Sequence, residues 1–444
     1  MIDIRAKIRE WSLDRALARN MVSLYGVQFA NYLLPLATVP YLTRVLGPLT
    51  WGLVAFAQAF GAYASIGIEY GFHLSATRAV AKNRDSVGEL ANLVAGVMGA
   101  KLLLAAGAVV IAFCLGAWTP LFHAHPAFLW AAMFWAVAQS FSMLWYYQGL
   151  ERMRLVAVLD VAGRAAATAG IFIIVHHPGD GWKVLALQGC GSLLSVLVAA
   201  ALVYREVPVK LPGWQMVRDT LRMGWSMFLF RGSMSLYGAG NAFILGLFAS
   251  PEAVGFYAGA EKLARALMGL LVPIHQSLYP RLSNLVQHNL PAAKRLGRSS
   301  LFLMSSAGLV LSLAAFLGAP WAVPLILGTS FATSVPVLQV MAALPLLDAL
   351  GTSFGVLWMV PLGLDRQFNR VVLAGGLLNL ILAVIFAPRY AQLGMAAAVV
   401  ATEVFVVLAL YIVLHRRRLV LLLPTQIERH EAAAVPDRRI DRGR

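Results

Sequence analysis

The sequence predicts an all-α integral membrane protein: about twelve transmembrane helices in two six-helix bundles, related as a parallel internal repeat. Three observations carry that expectation. The 444 residues are 60% apolar and only 13% charged, with a mean hydropathy of +0.73, where a soluble domain needs about 25% charged residues to cover its surface. Many windows of about 18 residues hold at most one charge, long enough to cross a hydrocarbon core of about 30 Å. Backbone groups in lipid must be satisfied internally, and runs such as 102–115 lack the two-residue alternation of a barrel, so these spans are helices. Finally, the net charge of +16 is confined to short loops and tails between apolar runs. That placement is membrane topology rather than a nucleic-acid surface.

Residues 1–19 mix charge throughout and lack an apolar core with a small-residue cleavage site, so they do not read as a signal peptide. Ile4, Ile8, Trp11 and Leu13 could form one face of an interfacial helix; a polar lead-in is the other reading. Spans are then expected at 20–46, 50–75, 88–116, 127–149, 155–176 and 183–204, a first lobe of 20–204. After a linker at 205–219 come 220–248, 253–283, 297–318, 333–359, 368–387 and 393–415, a second lobe of 220–415, and a basic tail at 416–444. The fifth span contains Asp160 and Arg164, and the tenth contains Pro336 and Pro345, so both depart from a simple apolar helix. Pro35, Pro40, Pro273, Pro345 and Pro361 offer kink points.

Lysine and arginine are distributed asymmetrically between alternate loops. One set carries Arg5 to Arg19, Arg78 to Arg84, Arg152 and Arg154, Arg205 to Arg222, Arg281 to Arg298, Arg366 and Arg370, and the arginines from Arg416 onward. The other set carries only Arg44, Lys183 and Arg389. This asymmetry places both termini in the cytoplasm and supports an even helix count. A faint repeat at an offset of 203 pairs Pro48 with Pro251, Gly52 with Gly255, Ala55 and Ala57 with Ala258 and Ala260, Ser23 with Ser226, and Arg78 with Arg281. Six helices per unit is an even number, so the two halves share an orientation.

No Walker loop, His-Glu-x-x-His or Gly-x-Ser-x-Gly motif is present, so the chain reads as neither an ATP-driven pump nor an enzyme, with no cofactor. Cys114 and Cys190 lie in apolar stretches without metal-ligand spacing. The informative residues are charges inside spans, each costing about 2.5–3.5 kcal/mol at the bilayer centre. Arg231, Lys101, Lys262 and Arg265 would suit a cationic lumen, because guanidinium groups hold phosphate bidentately. The structural alternatives are an ion pair for Arg231, snorkelling or pairing for Lys101, and pairing of Arg265 with Glu261 at i, i+4. Asp160 and Arg164 share that spacing and read as structural. Glu403 and Asp348, carboxylates in apolar spans, are candidate proton carriers or partners for buried cations. Glu69 is a third candidate, or a salt-bridge partner of Arg78 or Lys82. Trp145-Tyr146-Tyr147 reads as an interfacial belt.

The fine pattern of Asn31–Pro35, Pro40-Tyr41-Leu42, Arg44-Val45-Leu46-Gly47-Pro48, Gly52, and Tyr70-Gly71-Phe72 followed by Leu74-Ser75-Ala76-Thr77-Arg78 resembles the O-antigen flippases. These are the Wzx family in the polysaccharide-transport branch of the MOP exporter superfamily. The resemblance is strongest over residues 20–85, moderate around Ser250–Leu263, and hydropathic elsewhere. It implies translocation of undecaprenyl-diphosphate-linked oligosaccharides across the bacterial cytoplasmic membrane by alternating access, with coupling to an ion gradient. The partners implied are the lipid-linked oligosaccharide, membrane lipids and polysaccharide-assembly proteins such as the polymerase. A drug/cation antiporter of the multidrug-and-toxin extrusion type shares the architecture but would favour an acidic lumen. A membrane-embedded glycan polymerase or transferase would need a large outside loop, and the longest here lies around Trp118 to Pro126.

Overall fold

A computed structural model describes the backbone of residues 4–235, 240–419 and 421, and the side chains of 37–225, 227–228, 240–419 and 421. Among these residues there is no strand. Eight helical segments among the described residues are long and apolar enough to cross a bilayer; two of them, Ala37–Lys82 and Asp365–Arg416, hold a turn that divides them between two spans, and the helices of 214–288 are not among the eight. The usual burial order is inverted on the perimeter: Phe302, Phe113 and Val110 are 77%, 68% and 63% exposed. Lipid, being as apolar as these side chains, is the solvent that accepts them.

The first helix, α1 (Ile4–Glu69), is two helices joined at Gly47, whose φ of 70° and ψ of 174° suit a residue without Cβ. Residues 4–19 continue the helix of the first span. The second span runs on through α2 (Phe72–Lys82) after a break at Tyr70 and Gly71, both left-handed. The third span is α3 (Val87–Trp118), started by Ser86, whose side chain accepts from the Glu89 amide. A short α4 (Pro120–Ala124) leads to the fourth span, which is α5 (Pro126–Ser140) and α6 (Leu144–Gly149) separated by Phe141–Met143. The fifth and sixth are α7 (Met153–Ile174) and α8 (Gly181–Glu206). Asp160 and Arg164 do not interrupt α7.

The second half repeats this order. Helices α9 (Trp214–Ser235) and α10 (Asn241–Phe248) make the seventh span, and α11 (Pro251–Gly269) and α12 (Val272–His288) the eighth. The ninth is α13 (Leu290–Leu327); the tenth is α14 (Ser334–Met341), α15 (Leu344–Phe354) and a π-turn at Gly355–Met359. The last helix, α16 (Asp365–Arg416), would be about 78 Å long if straight, too long for one span. It folds back at Ala391 (φ 45°), and a Cβ on Gly375 would touch Val406 and Thr402, so the eleventh and twelfth spans pair as a hairpin. The broken spans correspond across the repeat: 70–71 with 270–271, and 141–143 with 342–343. Pro273 and Pro345 lie just past two of these breaks, in the first turn of the new helix, where a missing N–H costs nothing.

Packing distinguishes the two ends. At the end bearing the Gly47-Pro48 turn, one core joins both halves and includes Trp51, Phe56, Leu245, Tyr257, Val323 and Met395. At the Lys/Arg-rich end there are two cores. One gathers Phe72, Val94, Tyr146 and Val203 with Val217 of α9; the other gathers Leu282, Met304, Trp358 and Leu410. The molecule is closed at the turn end. At the basic end α9 packs on the first half, where a Cβ on Gly96 would meet Met216 Cγ at 3.1 Å and one on Gly224 would meet Phe72 Cε1 at 3.0 Å, and the two cores part between that group and the rest of the second half. The predicted repeat partners lie at the closure itself. A Cβ on Gly52 would overlap the Pro251 carbonyl oxygen, and one on Gly255 would overlap the Pro48 carbonyl oxygen. Arg44, one of the few cations at this end, donates from Nη2 to the Leu325 carbonyl, tying the first half to the second.

Trp145, Tyr146 and Tyr147 differ from the expected belt: they are 2%, 1% and 2% exposed. The break at 141–143 turns α6 under α2, where Thr77 Oγ1 donates to the Trp145 carbonyl (3.0 Å) and Val80 packs on Gly149. Tyr147 donates to the Ala199 carbonyl (3.3 Å) and Tyr146 to Glu206 Oε2 (3.4 Å), which satisfies the two hydroxyls, whereas the buried Trp145 Nε1 has no partner among the described residues.

Candidate functional site

A cavity of about 400 Å³ opens inside the first half, where α1 faces α11. Its charged lining is Glu69 from α1, Asp160 and Arg164 from α7, and Lys262 from α11. Its neutral polar lining includes Gln58, Gln139 and Gln188 with Thr168 and Ser192, besides Thr38, Ser65, Ser142 and Ser195, and Trp135 supplies a ring. Gln58 follows Pro48 by ten residues and Lys262 follows Pro251 by eleven, so at 1.5 Å per residue both stand about 15 Å in from the turn end. That is mid-bilayer depth, where ionised groups are retained only in a cavity or a pair.

Close helix contacts hold the cavity walls. A Cβ on Gly163 would stand 3.1 Å from the Gly191 carbonyl carbon, and one on Gly191 3.0 Å from that of Gly163, so α7 and α8 meet backbone to backbone. Small residues at such crossings let helices approach closely in a membrane. Ser195 Oγ crosses the same seam to the Leu159 carbonyl (2.8 Å). Ser140 Oγ reaches Ser65 Oγ (3.0 Å), locking the fourth span to the second.

The candidate residues separate as follows. Lys262 lines the cavity. Arg265, one turn further on, holds Glu261 Oε1 through Nη2 (2.7 Å) and Nε (3.0 Å). Lys101 is 1% exposed; its Nζ donates to the Ser140 carbonyl (2.6 Å) and weakly to that of Ser142 (3.4 Å), and the field of Glu69 reaches it. These carbonyls belong to the break between α5 and α6, where no helical N–H is in place to take them. Arg231 is in α9, but its side chain lies outside the described residues. Glu69 lines the cavity. Asp348, half-buried in α15, makes no hydrogen bond or ion pair among the described residues, whereas Glu403, half-buried in α16, has an interaction of its own. No cluster that could hold a metal ion occurs among the described residues, and Cys114 and Cys190 are free and exposed.

Sequence reading did not select Gln58, Gln139, Gln188 or Trp135, and it took Asp160 and Arg164 as a structural pair. Spacing alone does not reveal which face of each helix turns toward the cavity. The one available signal was that three amides sit deep in apolar spans.

Comparison with known proteins agrees with this architecture. The family profile described as polysaccharide biosynthesis protein matches residues 17–286, more than half of the chain. A relative from Escherichia coli (strain K12), named "Putative O-antigen transporter", is 31% identical over 399 residues, spanning 88% of this chain and 95% of the relative. One of the same name from Shigella dysenteriae is 29% identical over 400 residues, covering 88% and 98%. Among solved structures, the lipid II flippase MurJ in an inward closed conformation superposes with a TM-score of 0.66 at 12% identity, covering 89% of this chain and 87% of that one. An inward-facing MATE-family multidrug resistance transporter of the MOP superfamily gives 0.61 at 14% identity, covering 87% and 98%. These two likenesses concern the fold. The family match and the relatives settle the kinship: this multi-pass membrane chain belongs to the polysaccharide biosynthesis protein family and has the fold of the MOP transporters.

Proposed function

We propose that this protein is a flippase that carries undecaprenyl-diphosphate-linked oligosaccharide repeat units, for O-antigen, capsule or exopolysaccharide, across the bacterial inner membrane. The observation that carries the reading is a polar, partly charged cavity at mid-bilayer depth in a molecule sealed at one end and holding two separate cores at the other. The Lys/Arg asymmetry assigns the basic end, and both termini, to the cytoplasm, where a lipid-linked sugar would be loaded. The headgroup enters between the halves while the polyprenyl tail stays in lipid along the exposed apolar perimeter. Arg164 and Lys262 offer a guanidinium and an ammonium to the diphosphate, and Arg231 on α9 is the further cation from the second half. In this scheme Lys101 and Arg265 are anchors, because their donors are already engaged by carbonyls and by Glu261. Closing the basic end and parting Gly52 from Gly255 gives the outward-facing state. Asp348, Glu403 or Glu69 couples the cycle to an ion gradient. A cation antiporter would call for a net acidic lining, whereas here Glu69 and Asp160 are matched by Arg164 and Lys262.

Complementation tests the reading. Expression in a flippase-null strain that makes the matching repeat unit should restore surface polysaccharide. Arg231→Ala and Lys262→Ala should lose it at normal protein level, with Arg231→Lys retaining part. Full complementation by both alanine variants would remove the cationic headgroup site. No surface polysaccharide from the wild type in any such strain would remove the flippase reading itself.

A further inference from the structure

The neutral wall of the cavity has hydrogen-bonding capacity that the protein does not use. Gln58 Nε2 donates to Gln188 Oε1 at 3.2 Å, which leaves the Gln58 carbonyl oxygen and the Gln188 amide hydrogens without a protein partner among the described residues. The Gln139 amide and the Thr168 and Ser192 hydroxyls make no hydrogen bond to protein among those residues. Their neighbours behave differently: Ser195 bonds the Leu159 carbonyl and Ser140 bonds the Ala136 carbonyl. Counting residues from the turn end of each helix puts Gln188 about 10 Å, Gln58 about 15 Å and Gln139 about 20 Å deep. Polar groups at that depth have no bulk water, so the cavity's contents must satisfy them. An amide presents donor and acceptor side by side, matching neighbouring hydroxyls that also do both. Trp135 completes the wall. Its ring edge is fixed against the second span, where a Cβ on Gly61 would meet Trp135 Cε3 at 3.1 Å, so its face is a rigid platform. Neutral amides, hydroxyls and an indole together match a pyranose ring, with hydroxyls at its rim and C–H groups on its face. They do not match a second phosphate or a cation.

Resting on the flippase reading, we infer that Gln58, Gln139, Gln188, Thr168, Ser192 and Trp135 form a carbohydrate subsite. It reads the hydroxyl groups of the first sugar on the diphosphate, while the charged residues take the diphosphate itself. A site built to hydrogen-bond hydroxyls discriminates strongly against a ligand lacking them, because its own polar groups are then left bare.

The test compares lipids that differ only in the sugar. Full-length protein in nanodiscs is titrated with undecaprenyl diphosphate and with the same lipid bearing one N-acetylhexosamine or one hexose. The wild type should bind one glycosylated lipid at least tenfold more tightly than the bare diphosphate. Gln139→Leu and Gln188→Leu should each remove about tenfold of that affinity and leave the bare lipid within twofold. Should a leucine variant fail to fold, Ser192→Ala and Thr168→Val take its place, each with an expected loss of about threefold confined to the glycosylated lipid. Equal binding of all lipids by the wild type, or variants that weaken bare and glycosylated lipids in parallel, would overturn the subsite and leave the flippase reading standing. Variants that change nothing would show that the wall holds water only. A wild type that binds none of these lipids would overturn both readings.

Discussion

Substituting Gly52 should force open the end of the molecule that is now sealed. Its Cα faces the Pro251–Gly255 turn of the second half so closely that an added Cβ would overlap the Pro251 carbonyl oxygen. It would also stand 2.8 Å from the Gly255 amide nitrogen. Ordinary contacts of this kind lie at about 3.5–4.0 Å, so clearing the overlap with the Pro251 carbonyl oxygen separates the two helices by about 2 Å. Neither wall is a flexible side chain; both are backbone. Inserting a methyl into such a seam costs about 1–3 kcal/mol, charged only to the state in which the seam is shut. Gly52→Ala should therefore bias the protein toward the state open at this end by about 5–150-fold. Gly255→Ala should do the same, since its Cβ would overlap the Pro48 carbonyl oxygen and stand 2.9 Å from its carbon. Both methyls demand the same separation, so the double variant should shift the balance by less than the sum. The assay is pulsed electron resonance between spin labels at Leu49 and Glu252 in full-length protein carrying Cys114→Ser and Cys190→Ser. Gly88→Ala serves as the control, because a Cβ there meets nothing within 4 Å. Gly52→Ala should move the distance distribution to a longer population. A distribution that matches the Gly88→Ala control would refute the claim that this contact holds the end shut, and strict additivity in the double variant would refute the shared seam.

Three further outcomes are expected. Lys101→Met removes the donor that satisfies the Ser140 and Ser142 carbonyls and should destabilise the protein by about 2–4 kcal/mol; an unchanged melting temperature in detergent would show that the break between α5 and α6 is held by other means. Alkaline phosphatase fused after Lys210 should be inactive and a fluorescent protein there bright; active phosphatase would reverse the assigned orientation. In reconstituted vesicles with an imposed pH gradient, Asp348→Asn or Glu403→Gln should abolish the gradient dependence of transport while keeping side-chain shape. Gradient dependence that persists in both variants would exclude these two residues as coupling groups.

Much of the architecture was already legible in the order of the residues. Span positions follow from how many apolar residues a bilayer requires, and Gly47-Pro48 marked the first turn because little else tolerates that backbone. The offset of 203 paired Gly52 with Gly255, and the structure brings these two glycines together at one of the close contacts between the halves. A helix-long apolar run needs only its own composition to be recognised, and a repeat needs only two copies. The functional reading of individual charges was different. Lys101 and Lys262 are both lysines deep in a span, the second beside Glu261 and Arg265. Rotation about the helix axis and a break in a neighbouring helix give one to two carbonyls and the other to a cavity. Trp145-Tyr146-Tyr147 had the composition of an interfacial belt, but the kink at 141–143 buried it. The amide wall of Gln58, Gln139 and Gln188 comes from three helices far apart in the chain. The sequence by itself therefore determined that this protein crosses the membrane many times as helices, and it carried a faint repeat that pairs Gly52 with Gly255. Only the tertiary structure decided which buried polar groups are already satisfied and which face open space, because that depends on helix rotation and on breaks that composition does not encode.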